Sequence, residues 1–178
     1  MKAINELRRD YFLVRTGLGP VSACIDWAIQ RLEHNEEDGD RNVTLLAGAN
    51  SDDEARQLAQ TVLNSHAAGD DDQMAAGKYI LELRRAYQAG RESYDTLELK
   101  LSTLYRFLGY PNWLVMLSRN CEYATDIPAF REPFEAEFAY ISGLWEKVAS
   151  SEEFHRQYDR AVSNEHDLPI LKRPNNRL

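Results

Sequence analysis

The sequence contains few cysteines and no long apolar run. A helix needs about 20 consecutive apolar residues to cross a bilayer, and no stretch of the chain approaches that length. Residues 1–12, MKAINELRRDYF, alternate charged with apolar side chains and lack the apolar core of a secretion signal. Both cysteines, Cys24 and Cys121, fall within apolar helical patterns, which predicts buried free thiols rather than a disulfide. We therefore expect a cytoplasmic protein.

Basic residues are outnumbered by acidic ones. The 178 residues carry 21 Lys and Arg against 29 Asp and Glu, a net charge of −8. Nucleic-acid-binding proteins need Lys and Arg to neutralise phosphates, and anionic membranes attract basic segments. The composition therefore argues against a nucleic acid and against a membrane as partner. It favours a basic protein, because opposite potentials accelerate encounter.

The patterns that indicate catalytic and metal sites are missing as well. The histidines form neither H-x-x-x-H nor H-E-x-x-H, and the chain has no G-x-S-x-G elbow and no P-loop. A calcium loop that begins at residue 33 or 35 has no glycine in sixth place and no glutamate in twelfth. We therefore predict no catalytic residue, no metal site and no cofactor, and we expect that the protein is not an enzyme.

Apolar residues recur at helical spacing through almost the whole chain. Four of these stripes are Ile4-Leu7-Tyr11-Val14, Val21-Ile25-Ala28-Ile29-Leu32, Leu97-Leu101-Leu104-Leu108 and Phe134-Phe138-Ile141-Trp145-Val148. Glycine and proline separate the stripes, and no strand-like alternation occurs. The pattern predicts an all-α fold of roughly seven to nine helices, packed as antiparallel pairs in one compact domain or a short irregular array. Residues 1–167 are predicted to form that domain, and residues 168–178, with two prolines, an irregular tail.

Acidic residues are concentrated in one segment. Residues 33–72 contain eleven acids and two bases, a net charge of −9, so the rest of the chain sums to +1. If the helices alternate in direction, the acids before residue 41 and those at 70–72 lie at one edge. Such acids either keep the protein in solution or recognise a partner. Like charges held together destabilise a fold by self-repulsion, which favours recognition.

Helix signals accompany these acids in the stretch 35–55, NEEDGDRNVTLLAGANSDDEA. Asp40 is placed to cap a short helix that Gly48 ends, and Ser51 and Asp52 are placed to begin the next helix. The stretch is therefore predicted to form helices joined by loops, with its charge on the exposed edge.

Two stretches carry a recurring order of motifs. The first stretch is CIDWAIQRLEHNEEDGDRNVTLLAGANSDDEARQLAQTVL. In it, a Trp-Ala helix precedes an acidic loop, a Leu-Ala-Gly segment and a helix that begins with acidic residues. These motifs lie at Trp27-Ala28, Glu36 to Asp40, Leu46-Ala47-Gly48 and Asp52 to Glu54. In AGRESYDTLELKLSTLYRFLGYPNWL, a glycine and a polar turn precede a Leu-rich helix and its stop, at Gly90, Ser93, Leu101-Leu104-Tyr105 and Leu108-Gly109-Tyr110-Pro111. The two stretches cover less than half of the chain. They resemble immunity proteins of bacterial polymorphic toxin systems.

The resemblance implies a cytoplasmic inhibitor that neutralises one cognate toxin domain, as in contact-dependent growth inhibition. Many such toxins are nucleases with basic clefts, so a basic toxin domain is the expected partner. On this hypothesis six acids attract the partner and three exposed aromatic residues anchor it: Glu36, Glu37, Asp38, Asp40, Asp52 and Asp53, with Tyr110, Trp113 and Tyr123. The same aromatic residues also fit a core. One alternative is a helical scaffold or adaptor for protein–protein interaction, and another, less favoured, is a metal-dependent all-α hydrolase.

Overall fold

The helices begin and end close to the signals in the sequence. The computed structural model describes residues 2–36, 39–66 and 71–166, and within these ranges it contains nine α-helices, one 3-10 turn and no strand. The helices are α1 (Lys2–Thr16), α2 (Ser22–Glu33), α3 (Arg41–Ala47), α4 (Asp52–Ser65), α5 (Asp72–Gln88), α6 (Tyr94–Phe107), α7 (Asn112–Asp126), α8 (Arg131–Trp145) and α9 (Ser151–His166). The predicted all-α fold of seven to nine helices is confirmed.

Helix α1 is buried on two different faces. Leu7, Tyr11 and Val14 recur at helical spacing and belong to an apolar cluster that they share with α2, α3 and α4. Phe12 and Leu13 point away from that face and belong to a second cluster, formed with helices α5 to α9. Because both clusters include residues of α1, this helix is the element that joins them.

The second cluster is enclosed by a ring of helices. Helix α1 contacts α5 and α6, α5 contacts α8, α8 contacts α7, and α7 contacts α6. Helix α9 packs on α8. In the first cluster, α1 contacts α2 and α4, and α3 packs against both of these. The predicted division into one domain at 1–167 stays a prediction, and the predicted tail at 168–178 lies outside the described residues.

Aromatic rings fill the centre of the second cluster. The Trp145 ring stacks on Phe154 with 3.7 Å between centroids and 6° between planes. Trp113 meets both rings edge-on, with centroid distances of 5.3 Å. Offset and edge-on contacts of this kind contribute about 0.5–1.5 kcal/mol each beyond the area that they bury. All three tryptophans, Trp27, Trp113 and Trp145, are buried.

Two arginines of α1 form ion pairs with α5. Arg9 binds the Glu82 carboxylate through Nε at 2.8 Å and Nη2 at 2.7 Å. Arg15 binds Asp72 through two hydrogen bonds of 2.9 Å. Each guanidinium therefore meets its carboxylate with two parallel donors, the stronger geometry for such a pair. These pairs fix the position of α5 along α1.

A second polar contact joins α5, α6 and α8. The Glu135 carboxylate accepts hydrogen bonds from the Tyr87 hydroxyl at 2.8 Å and the Tyr94 hydroxyl at 3.2 Å. The two hydroxyls lie 2.8 Å apart. Burial, and then the hydrogen bonds with Tyr94 and Glu135, raise the pKa of Tyr87 above its ordinary value. The phenol therefore stays a hydrogen-bond donor at physiological pH.

The predicted starts of α3 and α4 are confirmed. Asp40 precedes α3 and its Oδ1 accepts a hydrogen bond from the Asn42 backbone N–H at 2.8 Å. Ser51 precedes α4 and its hydroxyl accepts one from the Glu54 N–H at 3.3 Å. Each cap satisfies one of the backbone donors that a helix start leaves without a partner, a contribution of about 1 kcal/mol. Gly48 ends α3 as predicted.

Substitution of Gly77 tests the packing of the aromatic centre. A Cβ added at Gly77 would lie 2.2 Å from Cδ2 of Trp145, so Gly77→Ala forces the indole to move. We expect the free energy of unfolding in urea to fall by about 1–3 kcal/mol. Gly143→Ala is the matched control, because a Cβ there meets no atom within 4 Å. Gly143 lies in the last turn of α8, so this substitution should raise stability by less than about 1 kcal/mol. Equal effects of the two substitutions would contradict this packing.

Thiol reactivity tests the burial of the cysteines. Cys24 and Cys121 are free thiols, 1% and 0% exposed, and burial raises the pKa of each from 9.0 to about 12. The pKa of each thiol is higher in the folded protein than in the unfolded chain, so the neutral thiol favours the folded state. This contribution to stability is complete below about pH 9 and is lost as the pH rises toward 12. At about pH 9 we expect iodoacetamide to modify neither thiol of the folded protein and both in urea, as measured by mass spectrometry. Rapid modification of the folded protein would contradict the burial.

Candidate protein-binding surface

The described acids of the predicted site lie on the helices of the first cluster. Glu36 follows α2, Asp40 caps α3, and Asp52 and Asp53 begin α4. The side chains of Glu36, Asp52 and Asp53 are 60%, 75% and 90% exposed, whereas Asp40 is half-buried at its cap. We refer to these four residues as the acidic surface. Two further predicted residues, Glu37 and Asp38, lie outside the described residues.

Two arginines partly offset this charge. Arg56 lies on α4 and its guanidinium is 2.9 Å from Asp53 and 3.8 Å from Asp52. Arg31 lies on α2, 3.8 Å from the Glu36 carboxylate. Exposed pairs of this kind contribute about 0–1 kcal/mol. A partner can therefore replace the exposed Arg56 pairs at little energetic cost.

The acids at the start of α5 have structural roles instead. Asp71 caps α5, because its Oδ1 accepts a hydrogen bond from the Met74 N–H at 2.9 Å. Asp72 binds Arg15 of α1, as described above. Asp70 lies outside the described residues. Two of the carboxylates that were expected at one acidic edge with the acids before residue 41 therefore already have partners within the protein.

Two of the predicted aromatic anchors are exposed. Tyr110 follows α6, is 61% exposed, and meets Tyr105 edge-on with 5.1 Å between centroids. Its backbone has φ +63°, a left-handed conformation that is uncommon for a tyrosine. Tyr123 lies on α7, is 43% exposed, and packs against Phe130 with 4.9 Å between centroids. Both rings present part of their surface to a potential partner.

Trp113 is not an exposed anchor, and that prediction is wrong. Its side chain is 1% exposed and belongs to the aromatic centre of the second cluster. The indole Nε1 donates a hydrogen bond to Gln73 Oε1 at 3.0 Å, so its polar atom is satisfied inside the protein. The apolar positions Leu117 and Cys121, which follow at helical spacing, already indicate this buried face.

The structure does not bring the acids and the aromatic residues into one site. The acidic surface belongs to the helices around the first cluster, whereas Tyr110 and Tyr123 belong to helices around the second. Helix α1 lies between them, because it contacts α2 and α4 as well as α5 and α6. The two predicted sets are therefore separate surfaces.

A groove between α1 and α2 is a feature that the sequence analysis missed. Its volume is about 340 Å³, and its lining consists of Glu6, Arg9, Asp10, Ala23, Asp26, Trp27 and Gln30. Three of these seven residues are carboxylates, and Trp27 contributes an apolar wall. The spacing of four between Glu6 and Asp10 places both acids on one face of α1. The sequence contains that signal, but it does not show that α2 faces it.

Asp10 is the most enclosed of the groove carboxylates. Its side chain is 18% exposed and lies 2.6 Å from Nη1 of Arg9. Burial raises the pKa of Asp10, and the neighbouring charges of Glu6 and Glu82 add to the increase, although Arg9 lowers it. The groove is therefore a region of negative potential despite the arginine at its wall.

The described residues were also compared with the requirements of a metal site and of a membrane span. Within residues 2–36, 39–66 and 71–166, no group of three or more His, Cys, Asp or Glu side chains is arranged to hold a metal ion. None of the helices in these ranges combines the length and the apolar character that a bilayer span requires. Comparison of the chain with protein-family models, with curated proteins and with solved structures found no match.

Truncation of two aromatic side chains separates core from surface. Trp113→Ala removes a fully buried indole, so we expect the free energy of unfolding to fall by about 3–5 kcal/mol. Tyr110→Ala removes a largely exposed ring and should change it by less than about 1 kcal/mol. Urea denaturation of both variants checks the difference. A similar loss for both would place Tyr110 in the core and remove it as a binding residue.

Proposed function

We propose that the protein is an immunity protein, a stoichiometric inhibitor that binds a basic toxin domain through its acidic surface. The observation that carries the proposal is the charge of residues 22–66, which contain nine carboxylates and three arginines. Seven of the nine carboxylates belong to described residues. The side chains of Asp52 and Asp53 are 75% and 90% exposed. A basic protein is the partner that matches this potential.

The acidic surface suits rapid association with such a partner. Exposed like charges raise the local concentration of an oppositely charged molecule and orient it before contact. The three arginines of the segment do not cancel this field, since nine carboxylates outnumber them and Arg56 alone lies close to two acids, Asp52 and Asp53. If the partner is a nuclease, its phosphate-binding cleft has the complementary charge, and occupation of that cleft would block the substrate.

A helical adaptor is the second candidate function, and a different surface favours it. Large apolar side chains are exposed on helices α6 to α8 and at their ends: Leu99, Tyr110, Met116, Tyr123, Ile127 and Tyr140. Scattered exposed apolar residues are common on protein surfaces. An adaptor that uses this side would bind partners with apolar rather than basic surfaces, and its binding would depend little on salt.

Identification of the partner decides between the two functions. The tagged protein is recovered from its native cells, at low and at moderate salt, and the bound proteins are identified by mass spectrometry. An inhibitor should retain one stoichiometric basic protein that is toxic when expressed alone and harmless when co-expressed with this chain. Several partners without such toxicity would favour the adaptor.

Charge removal on α4 tests the role of the acidic surface. We expect Asp52→Asn with Asp53→Asn to slow association with the captured partner about three- to tenfold at low salt, because both side chains contribute to the attracting field. The matched control is Asp95→Asn with Glu152→Gln, which removes two acids from the first turns of α6 and α9. Stopped-flow association rates at two salt concentrations provide the measurement. Equal rates for the two double variants would show that only net charge matters.

A further inference from the structure

The groove between α1 and α2 has the size of a pocket for one side chain. Its volume of about 340 Å³ lies at the low end of the range of small-molecule pockets, about 300–1,000 Å³. Ala23 and Gln30 lie about two turns apart on α2, with Trp27 between them on the same face. The indole is 6% exposed, so it forms a fixed apolar wall rather than a mobile cover.

The charges in the groove are unequally satisfied. Arg9 is held by Glu82 at 2.7 Å and by Asp10 at 2.6 Å, so its guanidinium is directed to carboxylates of the protein. Glu6 and Asp26 are exposed, and neither forms an ion pair with a described residue. The groove therefore presents two available carboxylates, one on each helix, beside an apolar wall.

We propose that this groove receives an arginine side chain of the basic partner. The inference rests on the proposed function, because it supplies the specific contact that the acidic surface alone does not provide. A guanidinium is planar, donates to two carboxylates at once and packs its flat face against an aromatic ring. One face of the Trp27 ring already meets the Arg31 guanidinium, 5.5 Å from the ring centroid. The incoming arginine therefore contacts only the part of the indole that lines the groove.

The position of the groove is consistent with that role. Asp26 lies on α2, and the same helix leads into the loop that contains Glu36 of the acidic surface. A partner attracted by Glu36 therefore meets the end of the same helix that forms one wall of the groove. Long-range attraction then brings the partner close, and insertion of the arginine fixes its orientation.

A small-molecule titration tests the groove without the partner. The probe is acetyl-arginine amide, added at constant ionic strength to ¹⁵N-labelled protein and followed by two-dimensional NMR. We expect saturable shifts of the Trp27 indole N–H, identified through its loss in Trp27→Phe, and of the Ala23 and Gln30 amides. Acetyl-citrulline amide, which has nearly the same shape and no charge, should produce no saturable shift.

A matched pair of variants locates the binding. Asp26→Asn removes a groove carboxylate and should weaken probe binding about fivefold. Glu33→Gln removes the same charge from the same helix, outside the groove lining, and should leave binding unchanged. Retention of the remaining NMR signals shows that each variant is folded.

Three results would overturn the proposal that the groove binds arginine. They are no saturable NMR shift, equal shifts with the citrulline probe, or equal weakening of probe binding by the two variants. They would leave the proposed function intact if the partner capture still yields one basic toxin. Specific arginine binding in the groove, combined with a capture that yields no basic partner, would instead overturn the proposed function. The two failures are therefore distinguishable.

Discussion

The burial of α1 on two faces is the constraint on which the rest of the structure depends. Leu7 and Val14 complete the core of the first cluster, and Phe12 and Leu13 complete that of the second. Each buried apolar side chain of this kind contributes about 1.5–3 kcal/mol. Polar residues of α1 also contact another helix, because Arg9 and Arg15 form ion pairs with α5. The relative placement of the acidic surface, the groove and the exposed aromatic residues therefore follows from the orientation of one helix.

Most of the helices could be predicted because their signals are local. Apolar spacing identifies a buried face within four turns, and a cap such as Asp40 or Ser51 acts on backbone groups two or three residues away. Glycines and prolines mark the ends in the same way. The two-sided burial of α1 could not be predicted, since Phe12 and Leu13 extend its apolar stripe without showing that a second set of helices covers them.

The candidate site was less predictable because it depends on distant residues. The sequence shows Asp72 as one more acid in a run, whereas the structure pairs it with Arg15, 57 residues earlier. Trp113 lies at a helix start beside exposed Tyr110; the spacing of the apolar residues after it indicates a buried face, but not that rings of α8 and α9 enclose its indole. The groove needs two helices to exist, so neither the acids of α1 nor Asp26 of α2 indicate it alone. Local charge was predicted well, and the partners of those charges were not.

The double burial of α1 also has a consequence for the order in which the chain acquires its structure during synthesis. Of the nine described helices, α1 leaves the ribosome before the others, yet the ring that meets Phe12 edge-on belongs to Phe107, 95 residues later. The partners of its other face on α4 come earlier, with Val62 and Leu63. A nascent chain can therefore assemble the first four helices while Phe12 and Leu13 still face water. During that interval the nascent chain exposes an apolar surface of the type that chaperones shield. This surface is covered only after α6 has been synthesised.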